Sequence, residues 1–579
     1  MKPSPPGVTR PWQIALGTVA LSLASWLYLG YVYEIWPQPG FLAHVMAFNG
    51  QLRGDWFTSL PPGHWAIDHV LGWLPGGALE PAVLVLWLGT LVVLWLGVLL
   101  IAESLGASVP AAVTAGLLLI PTHIGGFGVS EALFQFFYPN SLAFALSICA
   151  IAAVLRERYV IAGVLVGVGI TVHPGLGPLA VPLVAPILVF VGWRSAGRTR
   201  AALGPLLRFG APAAIVGAPA IAQLMLHQTA GAQLGAQEVY RFLTVVRQPH
   251  HMLYSAFPLL EYLRTGIWVA GLLAALWIIR DLAAARLVAF MALTIAVVCG
   301  LGSIASQTGW PLLLVEAQTS RLSAYLVLFA AIAIVAALVR LAGAAWAAGL
   351  AAAVFLLGPW ALDRVEAKFP AWAPHVDIST VEAGLMLAVL AAVAIVVRWR
   401  PSVARWRLAI PVAALVLAAT AVSLLVERSA RRPVRSASDG ALLDVARHAR
   451  TFTDPGELVL TPPTLDGFRA YALRPDVVEF GSIRLGQGDA EWKQRVLDLT
   501  GDPTILEPGS LGTDLAARQA LMDSAYAKQV DSSPAVLCKY RAHLVLTTVQ
   551  TPVPRWLVPV YDNELYRLLG IRSGTCRST

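Results

Sequence analysis

Apolar residues run along this chain in long, nearly uninterrupted stretches, each closed by a short polar cluster, instead of alternating at the spacing of half-buried helices or strands. A hydrocarbon layer about 30 Å thick takes roughly 20 apolar residues per helix. Thirteen stretches answer to that description: 12–33, 80–102, 108–122, 139–155, 159–173, 176–193, 207–226, 265–280, 286–305, 322–340, 342–362, 380–398 and 407–426. They predict a polytopic α-helical membrane domain over residues 1–426. The first stretch is long and no small-residue cleavage site precedes Glu34, so it reads as a retained span and not as a signal peptide.

From about Ser436 the pattern shortens and becomes that of a soluble domain, and residues 427–579 are expected to form it. Leu442, Leu443, Val445, Ala446 and Ala449 give a helical spacing over 441–453, and a second helix is predicted over 489–499. Strands are predicted over 457–461, 476–480, 543–548 and 557–561, which makes a small α/β domain. It holds no glycine-rich phosphate loop, metal-ligand cluster or nucleophile motif.

Composition supports this division. The chain is 57% hydrophobic and only 13% charged, which excludes a soluble globular protein of 579 residues. Its net charge of +8 comes mainly from arginines in short loops, so orientation and contact with anionic lipid explain it, and a nucleic-acid partner does not. Arg156 and Arg158, then Arg194, Arg198, Arg200 and Arg208, then Arg280 and Arg286, then Arg398, Arg400, Arg405 and Arg407 mark the cytoplasmic loops. A cytoplasmic N-terminus and an odd number of spans then put the C-terminal domain outside a bacterial inner membrane. Arg428, Arg431, Arg432 and Arg435 run against that rule, and contact with outer-leaflet phosphates would accommodate them. Cys149 and Cys299 lie in apolar spans, whereas Cys538 and Cys576 lie in the polar tail, either as one disulfide or as two thiols.

With this threading, Glu34, Asp55, His64, Asp68, Glu131, His173, Arg247, His250, His251 and Arg321 all emerge on one face, the extracytoplasmic one. Asp55 follows an amphipathic segment, 41–52, in the first outer loop, and Glu34 marks the exit of the first span. Either carboxylate suits a general base that takes a proton from an attacking hydroxyl. Asp68, with His64 four residues earlier, is the third such acid; a merely solvated loop acid is the plainer reading of each. Arg247-Gln-Pro-His250-His251 suits an anionic phosphate, or a divalent ion if a carboxylate joins the two imidazoles. His173-Pro-Gly interrupts an apolar hairpin as a cavity-facing ring or as a turn, and Glu131 sits in a loop rich in glycine and aromatics. Arg321 opens the tenth span, set to meet a phosphate, to pair with Glu316 or to anchor the helix.

The chain resembles the GT-C class of membrane glycosyltransferases, and among them uncharacterised bacterial integral membrane proteins. The resemblance rests on the acids of the first outer loop, on Pro139-Asn-Ser-Leu-Ala-Phe-Ala through Arg156-Glu-Arg to Gly163 and His173-Pro-Gly, and on Arg247-Gln-Pro-His-His. It extends to Leu460-Thr-Pro-Pro, Gly467-Phe-Arg469, Arg474-Pro-Asp-Val-Val and Glu491-Trp-Lys-Gln-Arg495 in the tail. It implies a polyprenyl-phosphate sugar as donor and a lipid, glycan or protein as acceptor. It further implies Asp55 or Glu34 as base, and His250, His251 and Arg321 as contacts for the donor phosphate. The chain departs from the class in one respect: Glu34 and Asp55 are well separated, where many members carry a compact acid pair. Two other classes fit the same composition. One is a transporter or flippase of a lipid-linked or anionic substrate, although the spans carry almost no charge and no internal repeat is evident. The other is a non-catalytic envelope assembly protein.

Overall fold

The computed structural model describes residues 11–27, 45–46, 52, 54–60, 64–75, 78–120, 124–127, 137–196, 199–228, 235–343, 384, 386–388, 390–393, 437–481, 488–507 and 513–577. The chain forms two compact units. One comprises Met1–Glu34, Val85–Ala218 and His250–Arg432, the other Ile35–Leu84, Pro219–Pro249 and Pro433–Thr579.

Helices dominate the first unit. By length and composition, five helices of the described chain are able to cross a membrane: Pro81–Ser104, Leu203–Met225, Leu259–Ile278, Ala283–Thr308 and Thr319–Ala342. Three shorter apolar helices, Pro139–Leu155, Tyr159–Val172 and Gly177–Trp193, coincide with predicted stretches. The predicted stretches beyond residue 343 lie almost wholly outside the described residues. The helix Ser323–Ala342 forms the centre, buried continuously from Ser323 to Leu338, with Leu259–Ile278 and Val109–Leu119 packed on it.

Small residues and buried hydrogen bonds set the helix contacts, as expected where lipid removes the hydrophobic drive between helices. The Cys149 thiol donates to the Val93 carbonyl over 3.1 Å, and the Trp95 indole N–H donates to the Ser25 hydroxyl over 2.9 Å. Arg156 closes one helix end on Glu103 at 2.6 Å. Gly163 admits the backbone of a neighbouring helix so closely that a Cβ there would stand 2.1 Å from the Phe209 carbonyl oxygen.

The second unit contains a four-stranded sheet in the order β1-β2-β4-β3, where β1 is Val459–Leu460, β2 Leu544–Thr548, β3 Leu557–Asp562 and β4 Tyr566–Ile571. β1 lies parallel to β2, and the other two pairings are antiparallel. Helix Ala437–Phe452 lays Leu442, Val445, Ala446 and Ala449 on Val459, Leu544, Leu546 and Leu568. The Tyr526 hydroxyl, on helix Leu515–Ser532, meets the Leu460 and Leu546 carbonyls of β1 and β2 at 3.2 and 2.9 Å. Cys538 and Cys576 are disulfide-bonded, which answers the question their positions left open.

One predicted strand does not form. Residues 476–480 make a single bridge, Asp476 to Val459, and then leave the ladder, the Phe480 N–H donating to the Pro463 carbonyl over 2.6 Å. β4 and helix Leu515–Ser532 go beyond the predicted elements.

The close contact at Gly163 gives a direct test. Gly163→Ala is expected to lower stability by about 1–3 kcal/mol, because backbone and not a flexible side chain has to yield. Thermal unfolding in detergent measures this, with Gly204→Ala, inside the helix Thr199–Gln228 where nothing lies within 4 Å, as the control that keeps or raises the melting temperature.

Candidate functional site

Two polar loci stand out, one in each unit. In the first unit, Arg321 lies in the tight turn Thr319–Leu322 that leads into the central helix. Neighbouring residues hold this turn firmly. The Ser320 hydroxyl donates to the His251 carbonyl over 3.0 Å, and the Ser323 hydroxyl donates to the Ser320 carbonyl while accepting the Phe127 N–H, both at 2.6 Å. Thr319 takes the Cys299 thiol on its carbonyl at 3.3 Å. These contacts fix the backbone of a partly buried arginine. Its Nε is closed to solvent and carries no hydrogen bond, and it forms no salt bridge among the described residues. Glu316 is not its partner; burial pushes that carboxyl upward.

The structure therefore brings His250, His251 and Arg321 to one region. The two imidazoles lie 4.1 Å apart between ring centroids on the short helix Pro249–Met252, held through His251 to Ser320. Among the described residues no group of three or more His, Cys, Asp or Glu is placed to hold a metal. His173, in the same unit, accepts the Gly175 and Leu176 N–H groups on Nδ1 at 3.2 and 2.9 Å and so organises its own turn. Glu34 and Glu131 lie outside the described residues.

In the second unit, Asp55 is buried. It caps helix Trp56–Ser59 by accepting the Thr58 N–H on Oδ1 at 3.1 Å, and its Oδ2 meets Arg469 Nε at 2.8 Å. Arg469 serves two further acids, Asp476 and Glu479, the latter at 3.4 Å. All four side chains are at most 1% exposed, so three carboxylates share one guanidinium away from water. Burial pushes the Asp55 and Asp476 carboxyls upward, while Arg469 draws both down. The Arg469 guanidinium also lies 5.0 Å from the centre of the Phe57 ring.

Beside this cluster, Asp466 keeps solvent access but is crowded by protein. Burial and the charge of Glu479 bring its carboxyl to about 7, against the pull of the Gly481 N–H and of Arg247 and Arg469. One oxygen takes the Gly481 N–H at 2.9 Å, and the Gly481 carbonyl takes Arg247 Nη2 at 2.8 Å. A Cβ on residue 481 would meet the Asp466 carboxylate at 2.5 Å, so only glycine leaves room for this approach. Asp68 turns back on the start of its own helix, its Oδ2 accepting the His64 N–H at 3.0 Å, while its N–H makes the first backbone bond of the helix to the His64 carbonyl at 2.8 Å.

Arg469, Asp466, Asp476 and Glu479 were not among the predicted site residues. Arg469 and Asp476 fall within the tail motifs Gly467-Phe-Arg469 and Arg474-Pro-Asp-Val-Val, and Asp466 and Glu479 border them.

DUF6798, a domain of unknown function, matches residues 440–499, a segment that carries these four residues. A comparison with curated proteins gives no match. Two solved structures are similar along nearly the whole chain. One is ArnT from Cupriavidus metallidurans in the apo state, 17% identical over 96% of this chain and 97% of that one, with a TM-score of 0.44. The other is the same protein bound to undecaprenyl phosphate, 15% identical over 98% and 99%, with a TM-score of 0.43.

Arg469→Met is expected to lower stability by about 3–5 kcal/mol, because it strands three buried carboxylates, and chemical denaturation of the full chain measures it. Asp466 gives a pH signature. Its folded value lies above the ordinary 3.8, so its contribution is present at low pH and is lost as pH rises through about 7. The melting temperature of Asp466→Asn relative to the parent should therefore rise between about pH 5 and about pH 8.

Proposed function

We propose that the chain is a GT-C type membrane glycosyltransferase that takes a sugar from a polyprenyl-phosphate carrier at the extracytoplasmic face and passes it to a lipid, glycan or protein acceptor. The observation that carries this reading is Arg321. A guanidinium at the head of an apolar span, with no salt bridge among the described residues, leaves its charge to be balanced by an anion. Phosphate suits the planar fork of arginine, and a lipid-linked phosphate reaches such a position from the bilayer. His250 and His251, on the short helix bonded to Ser320, are the proposed companions of Arg321 at the phosphate.

Transfer breaks the bond between the sugar C1 and the phosphate oxygen, and forms a bond from C1 to the acceptor oxygen. The acceptor proton passes to a carboxylate. Glu34 is the proposed base, because the Asp55 carboxylate is already committed to Arg469 and to its helix cap. His64, Asp68, Glu131, His173 and Arg247 are proposed as supporting residues, and of these the first two and His173 do evident structural work as well.

Arg321→Gln is expected to weaken binding of undecaprenyl phosphate by about tenfold to a hundredfold, the worth of a charge-assisted contact. Unchanged binding would remove Arg321 from the phosphate site. In a donor-loss assay with polyprenyl-phosphate sugars, Glu34→Gln should abolish turnover and leave the melting temperature in place, whereas Asp55→Asn should lower the melting temperature. Absence of donor loss by the parent protein across the whole panel would sink the glycosyltransferase reading.

A further inference from the structure

We propose that residues 54–60 form a proton-controlled strap, held on residues 467–481 and 488–495 by a cluster in which three carboxylates share one arginine, and that its hold loosens as protons leave the cluster. The strap packs against two arginines. Asp55 meets Arg469, Phe57 lies under the same guanidinium, and Trp56 lies 5.0 Å under Arg495. Leu60 and Trp56 also close on Gly488, where a Cβ would come within 3.1 Å of Leu60.

The charge balance makes this hold depend on protons. Asp55, Asp476 and Glu479 together carry three negative charges when ionised, against the single charge of Arg469, and water is excluded from all four. An unbalanced charge in such a place is costly enough that carboxyls keep protons instead. Asp476 Oδ2 marks one place for a proton, being buried and without a hydrogen-bond partner. The remaining charged groups nearby do not correct the deficit. Arg247 is engaged by the Gly481 carbonyl, Asp466 adds negative charge as pH rises through about 7 and so acts in the same direction, and Arg495 is occupied by Glu491 at 2.7 Å and by the Trp56 ring.

When the strap leaves, Asp55 enters water as an ordinary carboxylate, one negative charge is gone from the buried cluster, and the proton that offset it is released. Arg469 is then shared by Asp476 and Glu479 alone. The docked state thus holds more protons than the released state, so docking weakens as pH rises, by about tenfold per pH unit for each proton retained.

Hydrogen exchange of the full-length protein, read by mass spectrometry on the peptide covering residues 55–60 and corrected for the chemical rate, tests this at about pH 5.5 and about pH 8. Protection should fall at the higher pH by at least about tenfold. Asp476→Asn, which removes one negative charge but keeps the shape, should abolish most of that fall. Asp55→Asn does the same from the strap side and serves if Asp476→Asn does not fold. Equal protection of the parent protein at both pH values, or an undiminished pH dependence in the folded variants, would overturn the strap. The readout is amide exchange, so a failed glycosyltransferase assay does not bear on it.

Discussion

The second unit depends on the buried guanidinium of Arg469. It is built from three stretches distant in sequence, and the ion pair to Asp55 ties the first of them to the third. An arginine suits this task where a lysine would not, because its planar fork meets several carboxylates at once, with Nε on Asp55, Nη2 on Asp476 and Nη1 on Glu479. The same group lies over Phe57, so charge and apolar contact act on one short segment together. A lone buried ion pair adds little net stability, yet it strongly disfavours any arrangement that separates its partners. What Arg469 supplies is therefore a unique placement of residues 54–60.

Arg321 presents the opposite case. Its backbone is as firmly held as that of Arg469, through Thr319, Ser320 and Ser323, but no carboxylate meets its guanidinium among the described residues. In a chain that is 57% hydrophobic, the two arginines thus divide by what balances them. The one surrounded by acids builds structure, and the one that meets none among the described residues is the proposed phosphate contact. Burial alone would not separate these roles, because both side chains have an Nε closed to solvent.

The long apolar elements were legible in sequence because their length alone sets them apart. Even so, helix Leu259–Ile278 begins before its predicted start at 265, since Glu261 and Arg264 in its first turns conceal it from a hydropathy pattern. Asp55 was singled out in sequence as a candidate base, but its partner Arg469 lies far along the chain, and only the fold brings the two together. His250, His251 and Arg321 were also singled out, whereas the serine that joins them, Ser320, has no sequence signature of its own.

The segment 476–480 shows why local pattern fails at such a place. Val477, Val478 and Phe480 read as a strand, and all three are buried. In a regular strand, however, residues three apart point to opposite faces. Asp476 and Glu479 both reach Arg469, which a continuous pleat would forbid, so the chain leaves the ladder after Asp476 and turns Glu479 back toward the same guanidinium. Its second oxygen then takes the Gly467 N–H at 3.0 Å, fixing the start of the helix that carries Arg469. Electrostatic demand at one arginine thereby overrides strand propensity over several residues. Sequence periodicity records the burial of such a segment, but not the charge that bends it.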